Sequence, residues 1–411
     1  MRYWDAVLAF LVATAVAALL TPLAGKLAWR IGATSKPSDR GLGSKETPEL
    51  GGLAILAAVL LAALIWMPAR IPLELAPGYA SGTAGVVHTW PLMGGAVLIA
   101  FIGAIDDVLD LPALVKLLGQ IGVAIIAATA GGAVIKGVYV PFFHYLAFPD
   151  GGKELTVVWL VVLMNIVNLS DGVDGLAAGV CTIDGIAFAI IAFDLQGGTS
   201  SAAVLAAITA GASLGFLFHN FPPARIFMGD TGSNLLGYLL GVAAVIGSLK
   251  TNVVVALAIP LLVLAVPFLD TGFVVAKRLK YKKPPWQADA EHFHHRMARI
   301  GFSQRKTVAY FYAWTLMLAG VALALRFVPY SDHHNHYYLG WSIVMGAILL
   351  FAVIATIYLV YVLEILKFKR LRTIQLRTVD PDTSEVDIVA SVQKDIETGE
   401  FEAVKIPEPH E

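Results

Sequence analysis

The segment VLAFLVATAVAALL, Val7 to Leu20, decides the fold, because it runs without a single charged residue. Similar apolar segments follow it along the chain, so we interpret it as a first membrane span and not as a signal peptide. The composition agrees: 57% of the 411 residues are hydrophobic and 14% are charged, with a mean hydropathy of +0.74. Soluble domains carry roughly 25% charged residues. The composition therefore favours a protein embedded in lipid.

Crossing a bilayer core takes roughly 20 apolar residues per helix, and runs of this kind predict an all-α polytopic membrane protein with about 10–11 transmembrane helices. The predicted spans are 5–28, 51–68, 90–105, 114–135, 155–170, 176–194, 200–218, 233–249, 252–276, 307–328 and 339–365. We expect residues 1–366 to form one transmembrane domain. We expect residues 367–411 to be a cytoplasmic tail that is largely disordered.

Basic residues are concentrated in one of the two sets of loops between these spans. One set contains Lys26, Arg30, Lys36, Arg40, Lys45, Lys116, Arg225 and nine more from Lys277 to Lys306. The opposite set contains only Arg2, Arg70, Lys136, Lys153, Lys250 and Arg326. Because cytoplasmic loops carry the excess of Lys and Arg, the N-terminus should lie outside and the C-terminus in the cytoplasm.

Concentrated polar motifs fall at the ends of the spans that this rule makes cytoplasmic. The first contains Asp106, Asp107 and Asp110, followed by Lys116. Adjacent carboxylates at the end of an apolar helix repel each other and are costly to desolvate. A divalent cation relieves that repulsion, and magnesium binds few carboxylates while it shares substrate phosphates. The alternative is an ordinary solvated helix end.

The second motif is NLSDGVDGLAAG, which begins at Asn168 and contains Asp171 and Asp174. Its glycines predict a tight turn that leads into a helix, and the two aspartates at i and i+3 can face the same way. Amide and carboxylate oxygens in such a turn can hold a hard cation or accept a hydrogen bond from a base. A plain Asx-rich turn is the alternative.

The third motif extends from Asn220 to Asp230 and includes Arg225. It ends in the sequence FMGDTGS, which begins at Phe227 and contains Asp230. Free backbone N–H groups at a helix start, next to a carboxylate, suit a metal-bound phosphate. Helix capping by Asp230 is the alternative, because Asp and Ser are good N-caps.

The fourth motif is HFHHR, in the longest basic loop, and it comprises His292, His294, His295 and Arg296. Its histidines do not follow the H-E-x-x-H pattern of zinc proteases, and the single cysteine, Cys181, supports neither a thiolate cluster nor a disulfide. Histidines beside basic residues suit phosphate or sugar oxygens better. Together, the four motifs are suited to phosphoryl transfer between a nucleotide donor and a lipid acceptor.

The combination of these motifs resembles the polyprenyl-phosphate N-acetylhexosamine-1-phosphate transferases, the group that includes WecA, TagO and the MraY translocase. The resemblance runs from about Lys36 to Lys306. It implies that residues 1–366 form a phosphoglycosyltransferase domain in the bacterial inner (plasma) membrane, with its active site on the cytoplasmic face. It also implies a Mg²⁺-dependent transfer of a sugar-1-phosphate from a UDP-sugar to undecaprenyl phosphate, with release of UMP. Mn²⁺ could replace Mg²⁺, a homodimer is compatible with the resemblance, and no nucleic acid is implied.

The resemblance assigns roles residue by residue. It implies catalytic roles for Asp106, Asp107, Asp230 and His292, metal binding by Asn168 and Asp230, and substrate binding by Lys116, Asp171, Asp174, Asn220, Phe227, His294, His295 and Arg296. Asp171, Asp174 and Phe227 match the uridine pocket. A phosphate monoester is largely ionised near neutral pH, its second pKa being roughly 6. We therefore expect charge neutralisation to contribute more than proton removal.

The first cytoplasmic loop departs from the family pattern. Ser35, Gly43, Glu46 and Glu49 stand where the family usually has Asp, His, Pro and Arg. Compared with the family pattern, this loop has two more acids and one histidine less. We therefore expect Arg40 and Lys45 to be the residues of this loop that attract phosphate.

Four readings remain open at this stage. His-x-His-His-Arg favours the WecA and TagO branch and UDP-GlcNAc, as the first membrane step of a cell-envelope glycan such as lipopolysaccharide or teichoic acid. The MraY branch, with UDP-MurNAc-pentapeptide as donor, is the second. A UbiA-like prenyltransferase or a cation-coupled transporter are readings of other classes. Transporters, however, place their intramembrane acids near the midplane.

Overall fold

A computed structural model describes residues 3–35, 46–72, 85–135, 137–140, 144–147, 151–195, 201–248, 303–328, 338–352 and 354–355. Its helices are α1 (Tyr3–Ile31), α2 (Gly51–Trp66), α3 (Thr89–Leu109), α4 (Ala113–Ala128), α5 (Gly152–Ser170), α6 (Leu176–Leu195), α7 (Ser201–Asn220), α8 (Gly229–Ser248), α9 (Gln304–Phe327) and α10 (Leu339–Ala352).

Within the described residues, six helices are long and apolar enough to cross a membrane: α1, α3, α5, α6, α7 and α9. Helices α2, α4 and α10 are apolar but shorter. Large apolar side chains such as Leu19, which is 74% exposed, cover the outer face of α1, as expected for a surface in contact with lipid. The protein is therefore an all-α polytopic membrane protein, as its sequence predicts.

Ten of the eleven predicted spans coincide with described helices, and the span at 252–276 lies outside the described residues. Helix α3 runs past the predicted end at 105 and includes the paired aspartates. Helix α4 ends at Ala128 instead of 135, because Gly131 and Gly132 follow, and Gly132 has a φ of +69°. Helix α8 begins four residues earlier than predicted, so that GDTGS forms its first turn.

Asp110, for which the sequence suggests no role, ends α3. It adopts a left-handed conformation with φ 51°, and its N–H donates to the carbonyl of Asp106 at 2.8 Å. Aspartate tolerates this conformation better than most residues do, so Asp110 is a helix stop.

In the part of the chain that the structure describes, three antiparallel β-hairpins connect helices, and the sequence analysis did not predict them. They pair β1 (Thr34–Ser35) with β2 (Thr47–Pro48), β3 (Arg70–Pro72) with β4 (Val86–His88), and β5 (Gly137–Val140) with β6 (His144–Ala147). Strands of two to four residues are too short to show the alternation by which strands are recognised.

The start of α8 is pressed between α2 and α3 at positions where only glycine fits. A Cβ on Gly52 would lie 2.2 Å from the backbone nitrogen of Gly232, and a Cβ on Gly103 would lie 2.5 Å from that of Thr231. Small residues that let backbones approach closely are typical of helix contacts in membranes.

The up-and-down path of the chain brings the polar motifs to one end of the bundle. The carboxyl ends of α3, α5 and α7 lie at the same end as the amino ends of α2, α4 and α8. Motifs from distant parts of the sequence therefore meet on one face.

Replacing Gly52 by alanine should force α2 and α8 apart, because the contacted atoms belong to backbone. Overpacking of this kind costs about 1–3 kcal/mol. We expect a lower Tm for the detergent-solubilised G52A variant. The control is Gly94→Ala in α3, whose added Cβ meets nothing within 4 Å. Equal Tm values for the two variants would contradict this packing.

The orientation stays a prediction and can be tested at the two ends of α2. In a Cys181→Ala background, Glu46→Cys and Arg70→Cys place one exposed thiol on each side of that helix. A membrane-impermeant maleimide should label Arg70→Cys in intact spheroplasts and Glu46→Cys only after permeabilisation. The reverse pattern would place the motifs on the outer face.

Candidate active site

Three carboxylates converge at the motif end of the bundle. Oxygens of Asp106, Asp107 and Asp230 all lie within 4.8 Å of one another. Asp106 is buried, whereas the other two are partly exposed. The first and third sequence motifs, which lie more than a hundred residues apart, thus form one acidic cluster.

Lys116 is the basic side chain that contacts this cluster among the described residues. Its Nζ lies 2.5 Å from Oδ2 of Asp106 and 3.3 Å from Oδ2 of Asp230. Oδ1 of Asp106 accepts the N–H of Leu111 at 2.7 Å. One ammonium group therefore bridges two of the three acids, and the cluster keeps a net negative charge.

Asp107 caps helix α8 from the neighbouring helix α3. Its Oδ1 accepts the N–H of Asp230 at 2.7 Å, and its Oδ2 accepts the N–H of Thr231 at 3.2 Å and the hydroxyl of Thr231 at 2.6 Å. Gly229 makes this possible. It has a φ of +67°, and a Cβ there would lie 2.3 Å from Oδ2 of Asp107. A carboxylate at a helix N-terminus also interacts favourably with the helix dipole.

Asn168, at the end of α5, orients the third acid. Its Nδ2 donates to Oδ1 of Asp230 at 2.8 Å and to Oγ of Ser233 at 2.9 Å. The structure therefore brings together the two residues that the resemblance assigns to the metal.

The turn between α5 and α6 carries two further acids. Oδ2 of Asp174 accepts the N–H of Ala224 at 2.9 Å, which ties this turn to the loop before α8. Burial raises the pKa of Asp174, and this hydrogen bond opposes the rise. Burial raises the pKa of Asp171 well above its usual range, and the negative charge of Asp230 adds to the effect. Asp171 thus belongs electrostatically to the acidic cluster.

Asn220 is buried at the end of α7. It is 1% exposed. Its Oδ1 accepts the N–H of Gly175 at 2.9 Å, and its Nδ2 donates to the carbonyl of Ile226 at 2.9 Å. With its amide bonded in this way, Asn220 joins two loops, and its role in substrate binding stays a prediction. Phe227 is half-buried beside those loops.

The divergent acids of the first loop have partners within their own hairpin. Oε1 of Glu46 accepts the hydroxyl of Thr34 at 2.6 Å. Burial raises the pKa of Glu49, a hydrogen bond with Ser35 opposes the rise, and the charge of Asp230 adds to it. Glu49 therefore lies where it adds negative charge to the site. Residues 36–45 of this loop lie outside the described residues.

The histidine loop, with His292, His294, His295 and Arg296, also lies outside the described residues, as does the tail from 367. Three residues for which the sequence analysis proposed no role do contribute to the site: Gln120, Asn165 and Asn234 form a buried amide chain beneath it. The spacing of four residues from Lys116 to Gln120 is the signal that could have placed Gln120 on the same helix face.

The cluster suits a hard divalent cation. Its donors are carboxylate oxygens, the ligands that Mg²⁺ prefers in proteins. Three acids against one lysine leave an excess of negative charge for a cation to neutralise. Although Asp107 accepts hydrogen bonds with both oxygens, a carboxylate offers about four lone-pair sites, so it retains capacity to bind a metal.

Comparison with known proteins gives a consistent result. The profile of the family described as Glycosyl transferase family 4 matches residues 89–248, which include three of the four motifs. A probable undecaprenyl-phosphate N-acetylglucosaminyl 1-phosphate transferase of Bacillus subtilis is 35% identical over 78% of this chain and 85% of its own length.

Two further relatives are a decaprenyl-phosphate N-acetylglucosaminephosphotransferase of Mycolicibacterium smegmatis and a phospho-N-acetylmuramoyl-pentapeptide-transferase of Desulforamulus reducens. The former is 35% identical over 80% of this chain and 82% of its own length. The latter is 32% identical over 77% of this chain and 93% of its own length. These likenesses confirm the family that the motifs predict, and the readings as a transporter or a UbiA-like prenyltransferase are set aside. The chain therefore belongs to glycosyl transferase family 4 and is a glycosyl-1-phosphate transferase of that family.

Proposed function

We propose that the protein transfers N-acetylglucosamine-1-phosphate from UDP-GlcNAc to undecaprenyl phosphate and releases UMP. The reaction is Mg²⁺-dependent and takes place on the cytoplasmic face of the bacterial inner membrane, as the first membrane step of a cell-envelope glycan. The observation that carries this proposal is the cluster of Asp106, Asp107 and Asp230 around Lys116, at one end of a membrane bundle.

The reaction needs two anionic phosphates to approach each other. An oxygen of the lipid phosphate attacks the phosphorus that carries the sugar, the bond between the two phosphates of the donor breaks, and UMP leaves. Lys116 is suited to this step, because its side chain is 31% exposed and its ammonium group already bridges two acids of the site. It can donate hydrogen bonds to the phosphates as they arrive.

Asp106, Asp230 and Asn168 would hold Mg²⁺, with Asp107 beside them, and the bound ion would neutralise charge on the phosphates. The three hydrogen bonds that Asp107 accepts make it first of all the cap of α8. A lipid phosphate that is already ionised needs little base catalysis. Charge neutralisation and alignment are therefore the main contributions of these side chains.

The donor assignment is supported by relatives named for N-acetylglucosamine phosphate transfer, at 35% identity, against 32% for relatives named for the muramoyl-pentapeptide. The half-buried Phe227 can stack on a uracil ring, and the acids Asp171 and Asp174 can accept the N–H of that ring. The histidine loop is expected to meet the donor phosphate and sugar.

The test measures UMP release by the purified full-length protein. It is supplied with undecaprenyl phosphate, Mg²⁺ and either UDP-GlcNAc or UDP-MurNAc-pentapeptide. We expect UMP with UDP-GlcNAc, loss of the signal in EDTA and recovery when Mg²⁺ is restored. Release of UMP only with UDP-MurNAc-pentapeptide would show that this compound, and not UDP-GlcNAc, is the donor. If no UDP-sugar gives UMP, the proposal is wrong.

Asp230→Asn should lower kcat by about 100-fold or more while the protein stays folded, because it removes a charge that the transition state requires. Asp110→Asn is the matched control. It removes an acid from the same region, and asparagine also tolerates the left-handed backbone of that position. Comparable losses of kcat in both variants would show that the number of acids on this face matters and that the position of Asp230 does not.

Asp107→Asn should act on stability as well as on activity. An amide in place of the carboxylate turns one acceptor of the α8 cap into a donor, which costs about 1–2 kcal/mol by analogy with lost N-caps. We expect a lower Tm than that of Asp230→Asn in the same detergent. An unchanged Tm would mean that the cap contributes nothing to folding.

A further inference from the structure

We propose that Gln120 is a positioning residue that aligns Lys116 with Asp230 through a buried chain of side-chain amides. The inference deepens the proposed function and rests on it for the identity of the site. The hydrogen bonds of Gln120 go to Asn165 and Asn234 and not to the acidic cluster, so it acts through other residues.

The chain of amides crosses three helices. Nδ2 of Asn165 in α5 donates to Oε1 of Gln120 in α4 at 2.6 Å. Nε2 of Gln120 donates to Oδ1 of Asn234 in α8 at 2.8 Å. Nδ2 of Asn234 then donates to the backbone carbonyl of Asp230 at 2.9 Å. Gln120 and Asn234 are 4% and 5% exposed.

Each member of this chain lies about one helical turn from a residue of the site. Gln120 follows Lys116 by four residues, and Asn234 follows Asp230 by four. Asn165 precedes Asn168 by three. Residues at these spacings share a helix face. An amide that fixes the rotation of its helix about the helix axis therefore also fixes the direction in which the site residue one turn away points. The amides thus form a layer directly beneath the site, on the same three helices.

The chemistry of the layer makes Gln120 hard to replace. Its amide accepts from one neighbour and donates to the other, which an apolar or a carboxylate side chain cannot do. A buried polar group that loses its partner is costly, because water cannot replace the lost hydrogen bond. Without Gln120, Oδ1 of Asn234 would lose the donor that Gln120 supplies, and Nδ2 of Asn165 would keep only the carbonyl of Val161, so the helices would rotate or separate. Lys116 and Asp230 would then lose their alignment.

The test compares Gln120→Met, which keeps the side-chain length, with Thr209→Val in α7. Thr209 is fully buried, and its hydroxyl donates to the carbonyl of Leu205, outside this layer. The control therefore removes one buried polar group without touching the chain of amides. The readouts are Tm, the affinity for Mn²⁺ followed by the EPR signal of free Mn²⁺, and the kcat and KM of UMP release.

We expect Gln120→Met to weaken Mn²⁺ binding by about 10-fold or more, a typical effect for a residue that orients metal ligands. Its kcat should fall in parallel, while Thr209→Val lowers Tm but leaves the Mn²⁺ affinity unchanged. If Gln120→Met does not fold, Asn165→Ala at the partly exposed end of the chain should show the same shift in Mn²⁺ affinity in smaller measure.

Wild-type Mn²⁺ affinity in both amide variants would overturn the proposal, as would an equal loss in Thr209→Val or a wild-type protein that binds no Mn²⁺. Because Mn²⁺ binding is measured without substrate, a wild type that binds Mn²⁺ but releases no UMP would refute the proposed reaction and leave this inference to be judged on the binding data.

Discussion

Repulsion among three carboxylates, at the end of a bundle surrounded by lipid, is the constraint on which this structure depends. Oxygens within 4.8 Å of one another cannot all be charged without nearby compensation. Each acid is compensated from a different helix. Asp106 pairs with Lys116 of α4, Asp107 accepts N–H groups of α8, and Asp230 accepts from Asn168 of α5. The groups that offset the repulsion lie on other helices, so the contacts that they make with the acids also hold these helices together.

These contacts need helices that approach closely. Glycines at the crossings of α2 and α3 with α8 let backbone meet backbone, so the first turn of α8 is held from two sides. The same turn supplies both the N–H groups that Asp107 accepts and the carboxylate of Asp230. The glycine contacts and the hydrogen bonds to Asp107 therefore act on the same short segment. A change in the packing of this segment also changes the position of its charged groups.

Much of this could be predicted from the sequence, because two of its signals are strong. Apolar runs locate the spans, and the alternation of direction between successive spans brings Asp106, Asn168 and Asp230 to one face. The different roles of Asp106 and Asp107 could not be predicted. Neighbouring aspartates point to different sides of a helix, and only the position of α8 shows that Asp107 is a cap.

Other parts were missed for equally physical reasons. For Asn220, the sequence does not reveal that its amide bonds two backbone partners, whose proximity depends on the turn at Gly175, and its substrate contact stays a prediction. Gln120 resembles an isolated polar residue in a span until Asn165 and Asn234 are seen on either side of it. The hairpins are too short to carry a pattern. The roles predicted for the histidine loop concern residues outside those that the structure describes.

The cap of α8 has a consequence for how the protein is made. Asp107 precedes the N–H groups that it accepts by more than a hundred residues, so during synthesis it enters the membrane long before its partners exist. Until α8 is inserted, the carboxylate depends on water at the bilayer surface. A chain that stops before Gly229 therefore leaves the Asp107 carboxylate without the N–H groups that it accepts in the complete structure, whereas Asp106 already has Lys116.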